Sequence, residues 1–227
     1  MECVFNIAVP IALVNILMNA KAWERLDADG EKEKDAMFGA VKLTDCLSEF
    51  KLTETLDEDN KWYCSQCKEH VIATKTMEVF RTPPIMVITL KRFKTGRSKY
   101  GFAVGAEKLQ TVVDFPLEGL DMRDYVLCSE QKQSAKLIYD CFAVSNHHGN
   151  VGFGHYTAFA KSVIDNKWRE YDDSNVKDVP RPESTVISGS AYSLFYRLRN
   201  HTDLNNPDYD KLKLVPDETY MNSQKKD

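Results

Sequence analysis

The stretch Gly154-His155-Tyr156-Thr157-Ala158-Phe159, followed by Lys167-Trp168-Arg169-Glu170-Tyr171-Asp172-Asp173, decides how this chain is read. It places one imidazole and one carboxylate on two short strand-like runs joined by a turn. Pairing 155 with 172, 157 with 170, 159 with 168 and 161 with 166 closes a hairpin on a loop from Ser162 to Asp165. In that register His155 stands directly opposite Asp172, and Phe159 faces Trp168 as an aromatic cross-strand pair. Directly opposed residues carry Cβ atoms about 4.5–5.5 Å apart, so the carboxylate can accept a hydrogen bond from the imidazole N–H. An imidazole oriented by a carboxylate is two thirds of a nucleophilic triad. A turn centred on Asp165-Asn166 shifts this register and separates the pair, and a surface hairpin with an idle histidine is the competing reading.

Working outward, the flanking sequence is strand-rich. Runs at 74–80, 85–93, 109–115, 137–145, 155–161, 167–172 and 191–199 carry the β-branched and aromatic residues of short strands. Ile85-Met86-Val87-Ile88-Thr89-Leu90 is nearly continuously apolar, which predicts a strand buried on both faces. Few helical segments intervene, which indicates an antiparallel sheet in an α+β protein. The run Val4 to Ile11 contains Pro10, which predicts an edge strand or a strand end. Leu43, Cys46, Leu47 and Phe50 repeat at helical spacing, with Thr44 as a candidate N-cap and Asp45 at the positive end of the helix dipole. Cys46 lies on the apolar stripe and reads as a packing cysteine.

The totals exclude several classes. The chain has 227 residues, one large domain or one and a half, with 43% hydrophobic and 28% charged, ordinary values for a globular protein. A net charge of -4 argues against nucleic acid as a partner. The apolar segment from Cys3 to Met18 is broken by Asn6, Pro10 and Asn15 and is too short for a membrane span. With no basic region at Met1-Glu2 it is not a secretory signal either, so a cytoplasmic or nuclear location is expected. Residues 21–36 are an abruptly charged connector, and the polar segment 200–227 is a tail.

Trp62-Tyr63-Cys64-Ser65-Gln66-Cys67 is the one close cysteine pair. Two thiolates at Cys-x-x-Cys spacing can take two corners of a zinc tetrahedron, and two further ligands must come from elsewhere. His70 is too near in sequence to be a comfortable third. Either outside ligands complete a structural zinc site at Cys64 and Cys67, or no metal binds.

Taken in order, these pieces resemble the ubiquitin-specific protease family of papain-like cysteine deubiquitinases. The matches are Leu43-Thr44-Asp45-Cys46-Leu47, Trp62 to Cys67, Leu90-Lys91-Arg92-Phe93, Val113-Asp114-Phe115-Pro116, Ala143 to Gly149, Gly154 to Ala158, Tyr171 to Val176 and Ala191 to Tyr196. They cover residues 41–199 and look like the C-terminal half of the catalytic domain: half of a zinc ribbon at 62–70 and a palm sheet at 74–199, in the subgroup with a long insertion. Residues 1–40 would then hold the end of a fingers strand and the connector.

The resemblance implies that His155 is the general base, Asp172 its orienting acid and Asp173 an assisting neighbour. It implies ubiquitin and ubiquitinated proteins as partners and no cofactor for catalysis. Asn146, His147, Gly149, Gly154 and Tyr156 would border the groove for the ubiquitin tail, with 146–152 a mobile loop and Gly149, Gly152 and Gly154 letting backbone approach. The family's upstream nucleophile segment of Gly-Asn-Thr-Cys-Tyr type has no counterpart among these residues. Cys141 reads as core, and Cys128 has no base placed for it. The expectation is therefore a thiol-dependent hydrolase of ubiquitin conjugates represented by its base and acid, inactive alone, or alternatively a catalytically dead ubiquitin-binding scaffold on the same fold.

Overall fold

The run from Ile138 to Gly149 shows how the sequence builds the main sheet. Tyr139, Cys141 and Val144 are buried while Ile138 and Asp140 are half-covered, the period-two pattern of a strand with one face on the core. Two successive half-buried residues, Phe142 and Ala143, break the alternation where the pairing with the neighbouring strand slips by one residue. That is a bulge, which bends a strand and increases its twist.

The structure, a computed structural model, describes residues 3–10, 13–14, 41–97, 103–133 and 137–199. The connector at 21–36 and the tail at 200–227 lie outside the described residues. In chain order the elements are β1 (Cys3–Pro10), β2 (Leu13–Val14), β3 (Val41–Lys42), α1 (Leu43–Phe50), β4 (Glu54–Thr55), β5 (Trp62–Cys64), β6 (Glu69–Val71), β7 (Ala73–Arg81) and β8 (Ile85–Thr89). They continue with β9 (Phe93–Arg97), β10 (Ala103–Lys108), β11 (Val113–Asp114), β12 (Leu120–Asp121), α2 (Ser129–Gln133) and β13 (Ile138–Gly149). The last are β14 (Gly154–Lys161), β15 (Trp168–Asp172), β16 (Asn175–Asp178), α3 (Pro182–Thr185) and β17 (Ala191–Leu198).

An eight-stranded, mostly antiparallel sheet runs β16-β15-β14-β13-β17-β8-β2, with β12 also paired to β13. Separate small sheets hold β1-β7-β4, β5-β6, β9-β10 and β3-β11. β1 is an edge strand whose pairing slips at Pro10, as a residue without an amide donor requires. No helix among the described residues is long and apolar enough to cross a membrane.

One face of the large sheet is the core. Met86, Ile88, Leu194, Tyr196, Tyr139, Val144, Phe159 and Trp168 are buried there, and Leu43, Cys46 and Leu47 of α1 close over the same cluster. Each fully buried side chain of this size contributes on the order of 1.5–3 kcal/mol. Buried Tyr hydroxyls are satisfied: Tyr196 donates to Pro116 O at 2.8 Å and Tyr139 to Pro83 O at 2.6 Å.

Four expectations are corrected. The strand predicted over 85–93 divides into β8 and β9, and β8 buries Met86 and Ile88 on one face only, with Ile85, Val87 and Thr89 half-covered. The strand at 109–115 shrinks to β11, because the carbonyls of Leu109 and Thr111 bond the Arg92 guanidinium instead of a ladder. The helix starts one residue earlier than Thr44, with Lys42 at the N-cap position and no side-chain cap, although Asp45 does fall in the first turn. The mobile loop placed at 146–152 is mostly strand: β13 continues through Gly149, and only 150–153 turn, closed by Asn150 N–H donating to Phe153 O at 3.0 Å.

Candidate active site

The β14–β15 hairpin carries His155 and Asp172, but not in the expected register. Phe159 pairs with Glu170 and Lys161 with Trp168, where Phe159 with Trp168 was predicted, a displacement of two residues. The turn is longer than expected because Ser162 and Lys167 close it: Ser162 N–H donates to Lys167 O at 2.9 Å, and Asn166, at φ 57, donates its N–H to Ser162 O at 2.9 Å. An even displacement leaves every side chain on its original face. Phe159, Thr157 and His155 therefore still share the face of Trp168, Glu170 and Asp172, and the aromatic core runs outward into the polar pair. His155 and Asp172 are diagonal rather than opposed, a separation long side chains still bridge. The imidazole Nε2 meets Asp172 Oδ1 at 2.6 Å.

This bond sets the chemistry. With the proton on Nε2 donated to Asp172, the Nδ1 lone pair is available to accept a proton, as a general base must. The Asp172 hydrogen bond, helped by the charges of Asp172 and Asp173, holds the His155 pKa above the ordinary imidazole value. Asp173 has φ 50, the left-handed conformation that ends β15 and brings its carboxylate beside the pair.

The residues expected to border a groove divide. Gly149, Gly154 and Tyr156 are exposed, whereas Asn146 and His147 are buried beneath them. Asn146 Nδ2 donates to Thr157 Oγ1 at 3.4 Å, and His148 Nε2 lies 3.1 Å from the same hydroxyl. His148, directly opposite His155 in the β13–β14 ladder, was not singled out from sequence. The period of two across a tight Gly149–Gly154 turn was the signal that could have found it. Burial, then the positive charge of Lys108, pulls the pKa of His147 down, so its ring is neutral near pH 7.

Among the described residues, the cluster formed by His155, Asp172 and Asp173 includes no cysteine sulfur. Burial pushes the thiols of Cys46 and Cys141 up to about 12, with Asp45 adding to the effect at Cys46. Cys128 is buried, and its Sγ accepts from Arg81 Nη2 at 3.5 Å.

At the knuckle, Cys67 N–H donates to Cys64 Sγ at 3.4 Å and Lys68 takes φ 58, a tight turn in which Cys64 is buried and Cys67 exposed. His70 is paired across the ladder with Tyr63 and packs on its ring at 5.3 Å. Among the described residues the only cluster of three or more metal-type donors is His155, Asp172 and Asp173, so Cys64 and Cys67 gain no third ligand. By themselves the described residues do not complete a tetrahedral zinc site.

The sheet-rich α+β fold with few helices is consistent with the papain-like fold of its structural neighbours. The family model described as ubiquitin carboxyl-terminal hydrolase matches residues 31–196, and the chain belongs to that family. Ubiquitin carboxyl-terminal hydrolase 12 of Saccharomyces cerevisiae is 41% identical over 213 residues, covering 93% of this chain and 15% of the relative. Ubiquitin carboxyl-terminal hydrolase 15 of Homo sapiens is 42% identical over 157 residues, covering 69% of this chain and 15% of the relative. The chain thus spans about 15% of the length of these curated relatives. Among solved structures, the yeast SAGA DUB module carrying an Sgf73 mutant aligns with TM-score 0.53 and 32% identity over 70% of this chain and 33% of that one. The SAGA DUB module bound to monoubiquitin aligns with TM-score 0.52 and 32% identity, again over 70% of this chain and 33% of that one.

Proposed function

We propose that this chain supplies the base and acid of a thiol-dependent hydrolase that cleaves bonds to the C-terminus of ubiquitin. The observation that carries the reading is the 2.6 Å bond from His155 Nε2 to Asp172 Oδ1 on a fold shared with deubiquitinating modules. A neighbour bound to monoubiquitin supports ubiquitin as the ligand. In the reaction, His155 Nδ1 takes the proton of a cysteine thiol contributed from outside the described residues. The thiolate attacks the carbonyl carbon of ubiquitin's last residue, and the imidazolium returns the proton to the departing amine. Water, deprotonated by the same imidazole, then hydrolyses the thioester and frees the thiol. Asp172 keeps the ring in the required tautomer and stabilises the imidazolium; Asp173 adds negative charge beside it. The chain alone is expected to be inactive.

The test is a chimera in which this chain replaces the matching segment of the yeast relative, assayed on ubiquitin carrying a fluorogenic C-terminal amide. Activity is expected, and His155→Ala in the chimera should lower it by about 10²–10⁴-fold, the usual contribution of a general base. A chimera that folds and binds ubiquitin but does not turn over would overturn the proposal in favour of a scaffold. Incubating the chain itself with ubiquitin bearing a thiol-reactive electrophile should label neither Cys46, Cys128 nor Cys141; labelling of any of them would refute the placement of the nucleophile elsewhere.

A further inference from the structure

Arg92 is fully buried where three segments meet. Its Nε donates to Ala191 O at 2.6 Å, and its Nη1 donates to Thr111 O at 2.6 Å and to Leu109 O at 3.2 Å. Its own carbonyl accepts the Leu109 N–H at 2.7 Å. Two further bonds lead from these segments to one residue of β13: His147 N–H donates to Ser190 O at 2.9 Å, and Lys108 Nζ donates to His147 O. With the peptide links between 108 and 109 and between 190 and 191, the bonds form a closed ring through Arg92, Leu109, Lys108, His147, Ser190 and Ala191.

The ring exists because the sheet ladder fails at this point. The β13–β17 pairing slips between Ser145 and Asn146 and ends at Ala191, so β17 no longer serves the His147 carbonyl, and a lysine ammonium takes it. The clamp bears on the neighbouring strand through the His147 ring, which lies 4.8 Å from Tyr156, 5.5 Å from Phe93 and 6.1 Å from Tyr192. Gly154, the residue before His155, lies against the His147 imidazole so closely that a Cβ there would overlap it.

We propose that Lys108 and Arg92 are positioning residues for the base: by clamping both backbone groups of His147 they set the β14 segment from Gly154 to Tyr156 and so aim His155 at Asp172. This rests on the reading of His155 as base. The charged and titratable groups around His155 are Asp172, Asp173 and, across the ladder, His148; Lys108 acts on its alignment through the backbone.

Arg92 is shared with the core, so Lys108 is the residue to change. Histidine-labelled chain is followed by NMR through the His155 Nε2–H resonance and a pH titration. Lys108→Met should lower the His155 pKa toward the ordinary value of about 6.5, and broaden the Nε2–H signal by faster exchange. Lys108→Arg, which retains a charged donor, should restore both. Lys161→Met, which removes a lysine bonded to Glu118 on the same strand, should leave both as in the unaltered chain. If Lys108→Met unfolds, Lys108→Gln is read by the same two signals. The proposal is overturned if the Lys108 variant titrates like the unaltered chain, or if Lys161→Met shifts His155 equally. If the unaltered chain itself shows no Asp172-bonded Nε2–H and an ordinary His155 pKa, the reading of His155 as base fails instead.

Discussion

Replacing Gly154 by alanine adds one methyl group at a tight point beside His155. The new Cβ would sit 2.5 Å from the His148 carbonyl oxygen and inside contact distance of His147 Nε2. Real Cβ atoms essentially never approach so closely, and neither neighbour can yield easily. The His148 carbonyl belongs to the β13–β14 ladder, and the His147 ring is enclosed by Phe93, Tyr156 and Tyr192. Overpacking of this kind costs about 1–3 kcal/mol. For a chain of this size each kcal/mol moves Tm by about 2–4 °C, so a fall of roughly 2–12 °C is expected. Gly152→Ala is the matched control, since a Cβ at Gly152 meets nothing within 4 Å. Urea unfolding gives the free energies, and the His155 titration reports whether that imidazole has moved with its strand. A Gly154→Ala chain within about 0.5 kcal/mol of the unaltered one, the range of an ordinary surface substitution, would show that His147 is free to move and would refute the argument.

Asp172→Asn removes the charge and the strongest acceptor of His155, so the His155 pKa should fall toward about 6.5 in an NMR titration. The linkage sign follows: a raised His pKa favours the folded state below the unfolded value near 6.5 and loses that contribution as pH rises through the folded pKa, so denaturation measured across this window should flatten in Asp172→Asn. Tyr196→Phe removes the hydroxyl that serves the half-buried Pro116 carbonyl at 2.8 Å and should cost about 0.5–1.5 kcal/mol in urea unfolding. Cys46 and Cys141, with thiols near 12, should resist a thiol reagent at pH 8 until denaturant is added; rapid reaction in the native chain would contradict their burial.

Local pattern made much of this protein legible. Helical spacing at Leu43, Cys46, Leu47 and Phe50 specified α1, whose Leu43, Cys46 and Leu47 are buried. Runs of β-branched and aromatic residues located β7, β13, β14, β15 and β17 to within a few residues of their bounds. The pairing of His155 with Asp172 was reached from a register that was wrong by two residues. It held because side chains alternate with a period of two, so an even slip preserves the face and a diagonal pair is still within reach.

What the sequence by itself determined was therefore the place of β7, β13, β14, β15 and β17 and the shared face of His155 and Asp172, because both depend on neighbours one or two positions away. The tertiary structure decided what depends on distant segments meeting. Arg92 diverts the carbonyls of Leu109, Thr111 and Ala191 from any ladder; Lys108 reaches the His147 backbone; His148 stands opposite His155; and Cys64 and Cys67 gain no third ligand among the described residues. A hydrogen bond between residues 99 positions apart, as from Arg92 to Ala191, leaves no periodic trace in either segment, so only the folded chain reveals it.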